Sequence, residues 1–137
     1  MQIVTCALAI GVVAVSTLPA GRAEQTNATA VGAGTITVRL SNFAYDPDHL
    51  RLKANVPVRL RLVSDSSGRH DFSAPAFFAA STYPPGSSAP PDGDISVGSE
   101  ETVEIAVVPR KPGTYPFRCT HFLHSLFGMH GTIEVTP

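Results

Sequence analysis

Residues 115–131 read Tyr115-Pro116-Phe117-Arg118-Cys119-Thr120-His121-Phe122-Leu123-His124-Ser125-Leu126-Phe127-Gly128-Met129-His130-Gly131. A thiolate, an imidazole and a thioether, at Cys119, His124 and Met129, therefore share one short segment. This mixture of sulfur and nitrogen ligands suits copper that cycles between Cu(I) and Cu(II). The segment predicts a redox metal site.

The residues on both sides of this segment alternate in polarity, as half-buried strands do. Residues 113–118 place Tyr115 and Phe117 on one face and lead directly into Cys119, and residues 131–135 alternate again. The segment is therefore a loop between two strands, and we expect the sheet to hold its backbone rigidly.

The loop lacks one ligand, because a trigonal copper site takes two imidazoles and one thiolate together with a weak axial thioether. His70, which precedes Asp71, is the candidate for the missing imidazole. We interpret His121 and His130 as solvent-facing histidines at the rim of the site. His121 stays open as an alternative to the loop imidazole, because residues two apart on an extended chain share a face.

This pattern resembles that of the cupredoxins, the small type 1 blue-copper proteins of the plastocyanin, azurin and rusticyanin kind. The similarity extends from about Gly34 to Val135 and is strongest at Tyr115-x-Phe117-x-Cys119, His124 and Met129-x-Gly131. The resemblance implies a Greek-key β-sandwich that passes single electrons. It also implies that one copper ion is bound by four residues, namely His70, Cys119, His124 and Met129.

The residue after the upstream histidine departs from the family pattern. It is often Asn in the cupredoxins, where its side chain ties the cysteine loop to the neighbouring strand. Here it is Asp71, which when ionised only accepts hydrogen bonds. We expect a negative charge this near the copper to favour Cu(II).

The rest of the chain contains further short strand patterns. They lie at residues 35–40, 50–52, 58–63 and 102–107, with turn residues between them. Residues 76–81 can form at most a turn or two of helix, and the Pro- and Gly-rich residues 83–93 predict a surface loop. Strands without interleaved helices predict an all-β antiparallel sandwich, which we assign to one domain at residues 34–137.

The first residues predict export. Residues 1–23 form an apolar stretch that ends in small residues, as a secretory signal peptide does, and residues 24–33 form a polar, flexible leader. No Lys or Arg precedes Arg22, which leaves an uncleaved anchor as the alternative. Cleavage after Ala23 would leave Cys119 as the only cysteine in a periplasmic or otherwise exported protein, so no intramolecular disulfide could form. A metal-binding role would then account for the single thiol.

The charge and composition of the chain limit the possible classes of function. The chain has ten basic and eleven acidic residues among 137 and no basic stripe, so we expect no nucleic-acid partner. We predict a soluble, monomeric one-electron carrier without stable membrane association, not an enzyme. Its transient partner, a cytochrome or an oxidase, would dock on apolar residues near His124. The alternative is a periplasmic copper-binding protein for sequestration, delivery or tolerance, in which His121 and His130 assist capture.

Overall fold

Strands make up about half of the residues that the computed structural model describes, namely 34–124 and 126–137. Their bounds are β1 (Gly34–Ser41), β2 (Ala44–Asp46), β3 (His49–Lys53), β4 (Val58–Ser64), β5 (His70–Ser73), β6 (Ser81–Thr82), β7 (Asp94–Val97), β8 (Thr102–Pro109), β9 (Gly113–Arg118) and β10 (His130–Thr136). One short helix, α1 (Pro75–Ala79), and one 3₁₀ turn (Pro91–Gly93) interrupt them. The predicted signal peptide and leader lie outside the described residues. No helix within the described part is long and apolar enough to cross a membrane.

The strands form two sheets of five strands each, in the orders β2-β1-β4-β8-β6 and β3-β10-β9-β5-β7. This arrangement confirms the predicted β-sandwich. The sheets are mixed, because β1 pairs with β4 and β10 pairs with β3 in parallel, while the other pairs are antiparallel. A parallel pair needs a crossover connection. Between β1 and β4 the chain visits the other sheet to form β3, and this excursion lets β4 return in the direction of β1.

The core lies between the sheets and follows the alternation of the strands. In β4, Val58, Leu60 and Leu62 are buried, whereas Arg59 and Arg61 face solvent. Full burial of an aliphatic side chain contributes about 1.5–3 kcal/mol. The clearest alternating pattern in the sequence is therefore a central strand of the first sheet.

An aromatic cluster fills the core beneath the cysteine loop. The rings of Phe72 and Phe117 stack with centroids 4.6 Å apart, and Tyr45 packs edge-on against Phe117 at 5.0 Å. Tyr45 also donates its hydroxyl hydrogen to the backbone carbonyl of Asp71. Burial raises the pKa of Tyr45, followed by the charges of Cys119 and Asp71. This cluster joins β2, β5 and β9 immediately below the residues predicted to bind metal.

The predicted strands at residues 35–40, 50–52, 58–63 and 102–107 correspond to β1, β3, β4 and β8. The short strands β2, β5, β6 and β7 did not follow from the sequence. β5 is buried at all four positions, so it shows no alternation. The other three contain two to four residues, which is too few for a periodic pattern.

Candidate metal centre

Cys119 lies immediately after the last residue of β9 and continues its inward face. Phe117 and Cys119 are both buried, while Arg118 between them is exposed. The backbone N–H of Cys119 donates to the carbonyl of Met129 at 3.1 Å. Both ends of the loop are thus hydrogen-bonded to each other at the point where the thiol enters the core.

The structure brings together the two predicted imidazoles and the predicted thiolate. The ligand atoms of His70, Cys119 and His124 all lie within 4.8 Å of one another. Cys119 Sγ and His124 Nδ1 are 3.4 Å apart. Donors that bind one ion at about 2.1 Å in a trigonal plane stand roughly 3.6 Å apart, so the cluster needs little rearrangement to hold a metal. One thiolate and two imidazoles are also the donor set that suits copper.

The two ring nitrogens of His70 differ in their surroundings. Its Nε2 lies 2.6 Å from the hydroxyl of Ser66, whereas its Nδ1 is buried without a hydrogen-bond partner among the described residues. Burial lowers the pKa of His70, as do the nearby His124 and His121, while Asp71 acts in the opposite direction. The folded protein therefore favours a neutral imidazole, the form that binds metals.

Cys119 is held as a neutral thiol in the absence of metal. Burial is the main cause that raises the pKa of this thiol, and hydrogen bonds with the backbones of Asp71 and His121 partly oppose it. A cysteine binds a metal as the thiolate and not as the neutral thiol. Metal binding at this site is therefore expected to displace the thiol proton.

His124 forms the outer side of the cluster. Its ring lies 5.1 Å from that of His70 and 5.2 Å from that of Phe43, which stands edge-on to it from the turn between β1 and β2. Phe127 contacts the same Phe43 ring at 5.3 Å. His124 is partly exposed, whereas His70 and Cys119 are buried, so one imidazole edge connects the cluster to the surface.

Met129 is fully buried, and its backbone closes the loop. Its N–H donates to the carbonyl of His124 at 3.0 Å. Gly131, two residues later, has no space for a side chain, because a Cβ there would stand 2.2 Å from the carbonyl oxygen of Asp48 and 2.3 Å from the ring of Phe117. The glycine lets β10 approach both groups directly after the methionine.

Asp71 ties the cysteine loop to β5. Its Oδ1 accepts a hydrogen bond from the backbone N–H of Thr120 at 2.6 Å, and its Oδ2 accepts one from the hydroxyl of the same residue. The sequence indicated that an ionised aspartate can only accept hydrogen bonds. In the structure both hydrogen bonds come from donors of Thr120, so an acceptor-only carboxylate can make this link without the amide of an asparagine.

His121 and His130 lie outside the cluster. Both are exposed, and the ring of His121 is 5.7 Å from that of His124. His130 is the first residue of β10 and pairs with Arg118. The metal-binding role of His70, Cys119, His124 and Met129 stays a prediction that this geometry fits. Ser66, Thr120 and Phe43 contact site residues and gave no signal in the sequence.

Comparison with known proteins identifies the family. The model of the Cupredoxin-like domain matches residues 6–135, so the chain belongs to the cupredoxin family. The resemblance seen in the sequence is thereby confirmed. A search of the curated proteins found no match.

Several solved structures share the fold. Auracyanin B is 27% identical, with a TM-score of 0.59 over 77% of this chain and 91% of that one. Dithionite-reduced auracyanin from the photosynthetic bacterium Roseiflexus castenholzii is 20% identical, with a TM-score of 0.59 over 77% of this chain and 99% of its own. A multicopper oxidase from Campylobacter jejuni, a metallo-oxidase, is 13% identical at a TM-score of 0.59, and the match covers 77% of this chain and 30% of the oxidase. The last two likenesses concern the fold alone.

Proposed function

We propose that this protein is a mononuclear type 1 copper protein that carries single electrons. The observation that carries the proposal is the convergence of His70, Cys119 and His124 within 4.8 Å. Met129 is the proposed weak axial ligand, and one copper ion per chain is expected. Bound copper would supply a one-electron Cu(I)/Cu(II) couple.

The protein would contribute a ligand geometry that stays the same in both oxidation states of copper. The hydrogen bond between Cys119 and Met129 fixes the two ends of the loop, and the contacts between Asp71 and Thr120 fix the loop to β5. Buried His70 and Cys119 exclude water from the inner side. We propose a carrier rather than an enzyme, because His70 and Cys119 are buried and His124 alone of the three clustered residues is partly exposed.

We propose that redox partners dock on the apolar residues around His124. Five exposed side chains form this apolar rim: Phe43 (44% exposed), Phe122 (87%), Leu123 (41%), Leu126 (77%) and Phe127 (62%). An apolar patch without charges suits transient association, because it forms a small interface that dissociates quickly. The partner would be a cytochrome or an oxidase, and the protein a monomer between encounters.

We place this function in the periplasm or another exported compartment. The support is the signal-peptide pattern of residues 1–23. A metal-bound Cys119 would also be protected from oxidation there.

A second function uses the same cluster, namely copper sequestration, delivery or tolerance. The observation that favours it is the exposed His121, whose ring lies 5.7 Å from that of His124. An extra imidazole at the outer edge can assist capture or transfer of the metal. The carrier is the stronger proposal, because ligands held by two strands suit retention of a metal better than its release.

Copper titration of the purified protein tests the ligand assignment. We expect one copper per chain and intense visible absorption from thiolate-to-Cu(II) charge transfer. Cys119→Ala should abolish the absorption, whereas His130→Ala, which changes an exposed histidine outside the cluster, should preserve it. A coloured Cys119→Ala protein would refute the assignment.

Electron exchange with a partner distinguishes the carrier from the copper handler. Leu126→Glu or Phe127→Glu places a charge in the apolar rim and should slow exchange without changing the visible spectrum. Val56→Glu is the matched control, because Val56 is 40% exposed and lies beyond the end of β3 that pairs with Thr136, remote from the loop. Rapid loss of Cu(I) to an acceptor, slowed by His121→Ala, would favour the handler instead.

A further inference from the structure

A buried serine faces the back of the His70 ring. Ser66 is 6% exposed and His70 is 1% exposed. The serine hydroxyl lies 2.6 Å from Nε2, whereas the other ring nitrogen, Nδ1, is buried without a hydrogen-bond partner among the described residues. The hydroxyl and Nε2 are closer than an average hydrogen bond between nitrogen and oxygen.

The neighbours of this hydroxyl indicate the direction of the hydrogen bond. Ser66 Oγ lies 3.3 Å from the carbonyl oxygen of Gly68 and 3.4 Å from the hydroxyl of Ser64. The Gly68 carbonyl can only accept, so the serine hydrogen points to it and a serine lone pair remains for His70. Nε2 of the neutral ring then carries the proton, and Nδ1 keeps a lone pair. The opposite tautomer would place a hydrogen on Nδ1, which has no acceptor among the described residues.

The serine is itself anchored from the opposite side. Its backbone carbonyl accepts hydrogen bonds from the hydroxyl of Ser99 at 3.1 Å and from the N–H of Glu100 at 3.3 Å. The turn between β4 and β5 is thereby tied to the turn between β7 and β8. The position of Ser66 is thus set by the fold and not only by its contact with His70.

We infer that Ser66 is a positioning residue for the metal centre. Its hydroxyl accepts the Nε2 hydrogen and holds His70 in the single tautomer whose Nδ1 lone pair faces Cys119 and His124. The effect of Ser66 on copper binding rests on the proposed function, because it requires copper to bind at Nδ1. The tautomer itself is a property of the metal-free protein and is tested without copper.

The tautomer can be read directly from long-range ¹H–¹⁵N correlation spectra of the metal-free protein. The spectra are recorded at a pH at which His70 is neutral. The wild type should show a hydrogen on Nε2 and a lone pair on Nδ1. Ser66→Ala should give a mixture of tautomers or the opposite one, and Ser66→Thr, which keeps the hydroxyl, should restore the wild-type spectrum. Ser88→Ala, at an exposed serine outside this network, is the control and should change nothing. A hydrogen on Nδ1 in the wild type, or an unchanged tautomer in Ser66→Ala, would overturn the inference.

Copper release provides a separate measurement. Ser66→Ala should still bind one copper but lose Cu(I) to a chelator faster, because removing the partner of a ligating histidine typically lowers metal affinity on the order of 10–100-fold. Ser66→Thr should release it at nearly the wild-type rate. Equal rates in Ser66→Ala and the wild type would remove the positioning role. Failure of the wild type to bind copper would refute the proposed function and leave the tautomer result standing.

Discussion

Replacement of Asp71 is the sharpest test of how the cysteine loop is held. Asp71 is 7% exposed, and its two carboxylate oxygens accept hydrogen bonds from the backbone N–H and the hydroxyl of Thr120. Asp71→Ala removes both acceptors at once. The N–H of Thr120 then has to find water, and the cysteine loop loses this link to β5.

The expected cost follows from the two hydrogen bonds. A hydrogen bond to a charged group contributes about 1.5–3 kcal/mol, and the exposure of Thr120 argues for the lower end of that range. Two such bonds give about 3 kcal/mol, out of a typical domain stability of about 5–15 kcal/mol. For a domain of this size the loss corresponds to a decrease in Tm on the order of 12 °C.

Urea denaturation of the metal-free protein measures this free energy of unfolding. Asp71→Asn is the matched variant, because an amide can accept from the Thr120 N–H and donate to its hydroxyl, and it should retain most of the stability. Thr120→Val should lose about 1.5 kcal/mol, since it removes only the hydroxyl bond. A cost below about 1 kcal/mol for Asp71→Ala would show that the loop is held by other contacts.

The remaining predictions concern the copper form and the start of β10. Asp71→Asn should raise the reduction potential by tens of millivolts, because it removes a negative charge that favours Cu(II); voltammetry showing a lower potential would contradict this. Met129→Gln should shift the potential yet keep copper bound, whereas His124→Ala should cost far more affinity in a competition titration; the reverse order would reassign the ligands. Gly131→Ala should destabilise the protein by about 3 kcal/mol or more in thermal unfolding, because its Cβ meets backbone and the Phe117 ring; a Tm within a degree of the wild type would contradict the steric argument.

The candidate ligands of the loop could be proposed from the sequence, because the sequence itself places them together. Cys119, His124 and Met129 lie within one short segment, and the flanking alternation indicates the two strands that hold it. His70 lies far from the loop in sequence, so its choice depended on the family resemblance. The structure places it in the cluster through β5, a strand too short and too buried to show alternation.

The supporting contacts could not be predicted, because most of them depend on the register of elements remote in sequence and the rest on how a turn folds. Asp71 and Thr120 are 49 residues apart, and Phe43 reaches His124 from the turn between β1 and β2. Ser66 is only four residues from His70. The sequence does not show that the turn folds back to bring that hydroxyl to the ring. The parallel strand pairs were not predicted either, because hydrophobic alternation carries no information on strand order.

β5 explains why the inner side of the centre is rigid while the outer side is accessible. His70 and Asp71 are its first two residues, so the hydrogen bond between His70 and Ser66 and those between Asp71 and Thr120 both involve this one buried strand. Residues of β5 pair with β7 and β9, which hold it from both sides. His124 lacks such a frame and is positioned by the loop and by contact with Phe43. On the proposed docking of a partner near His124, we therefore expect small adjustments to be absorbed at the His124 edge, while the buried candidate ligands keep their geometry.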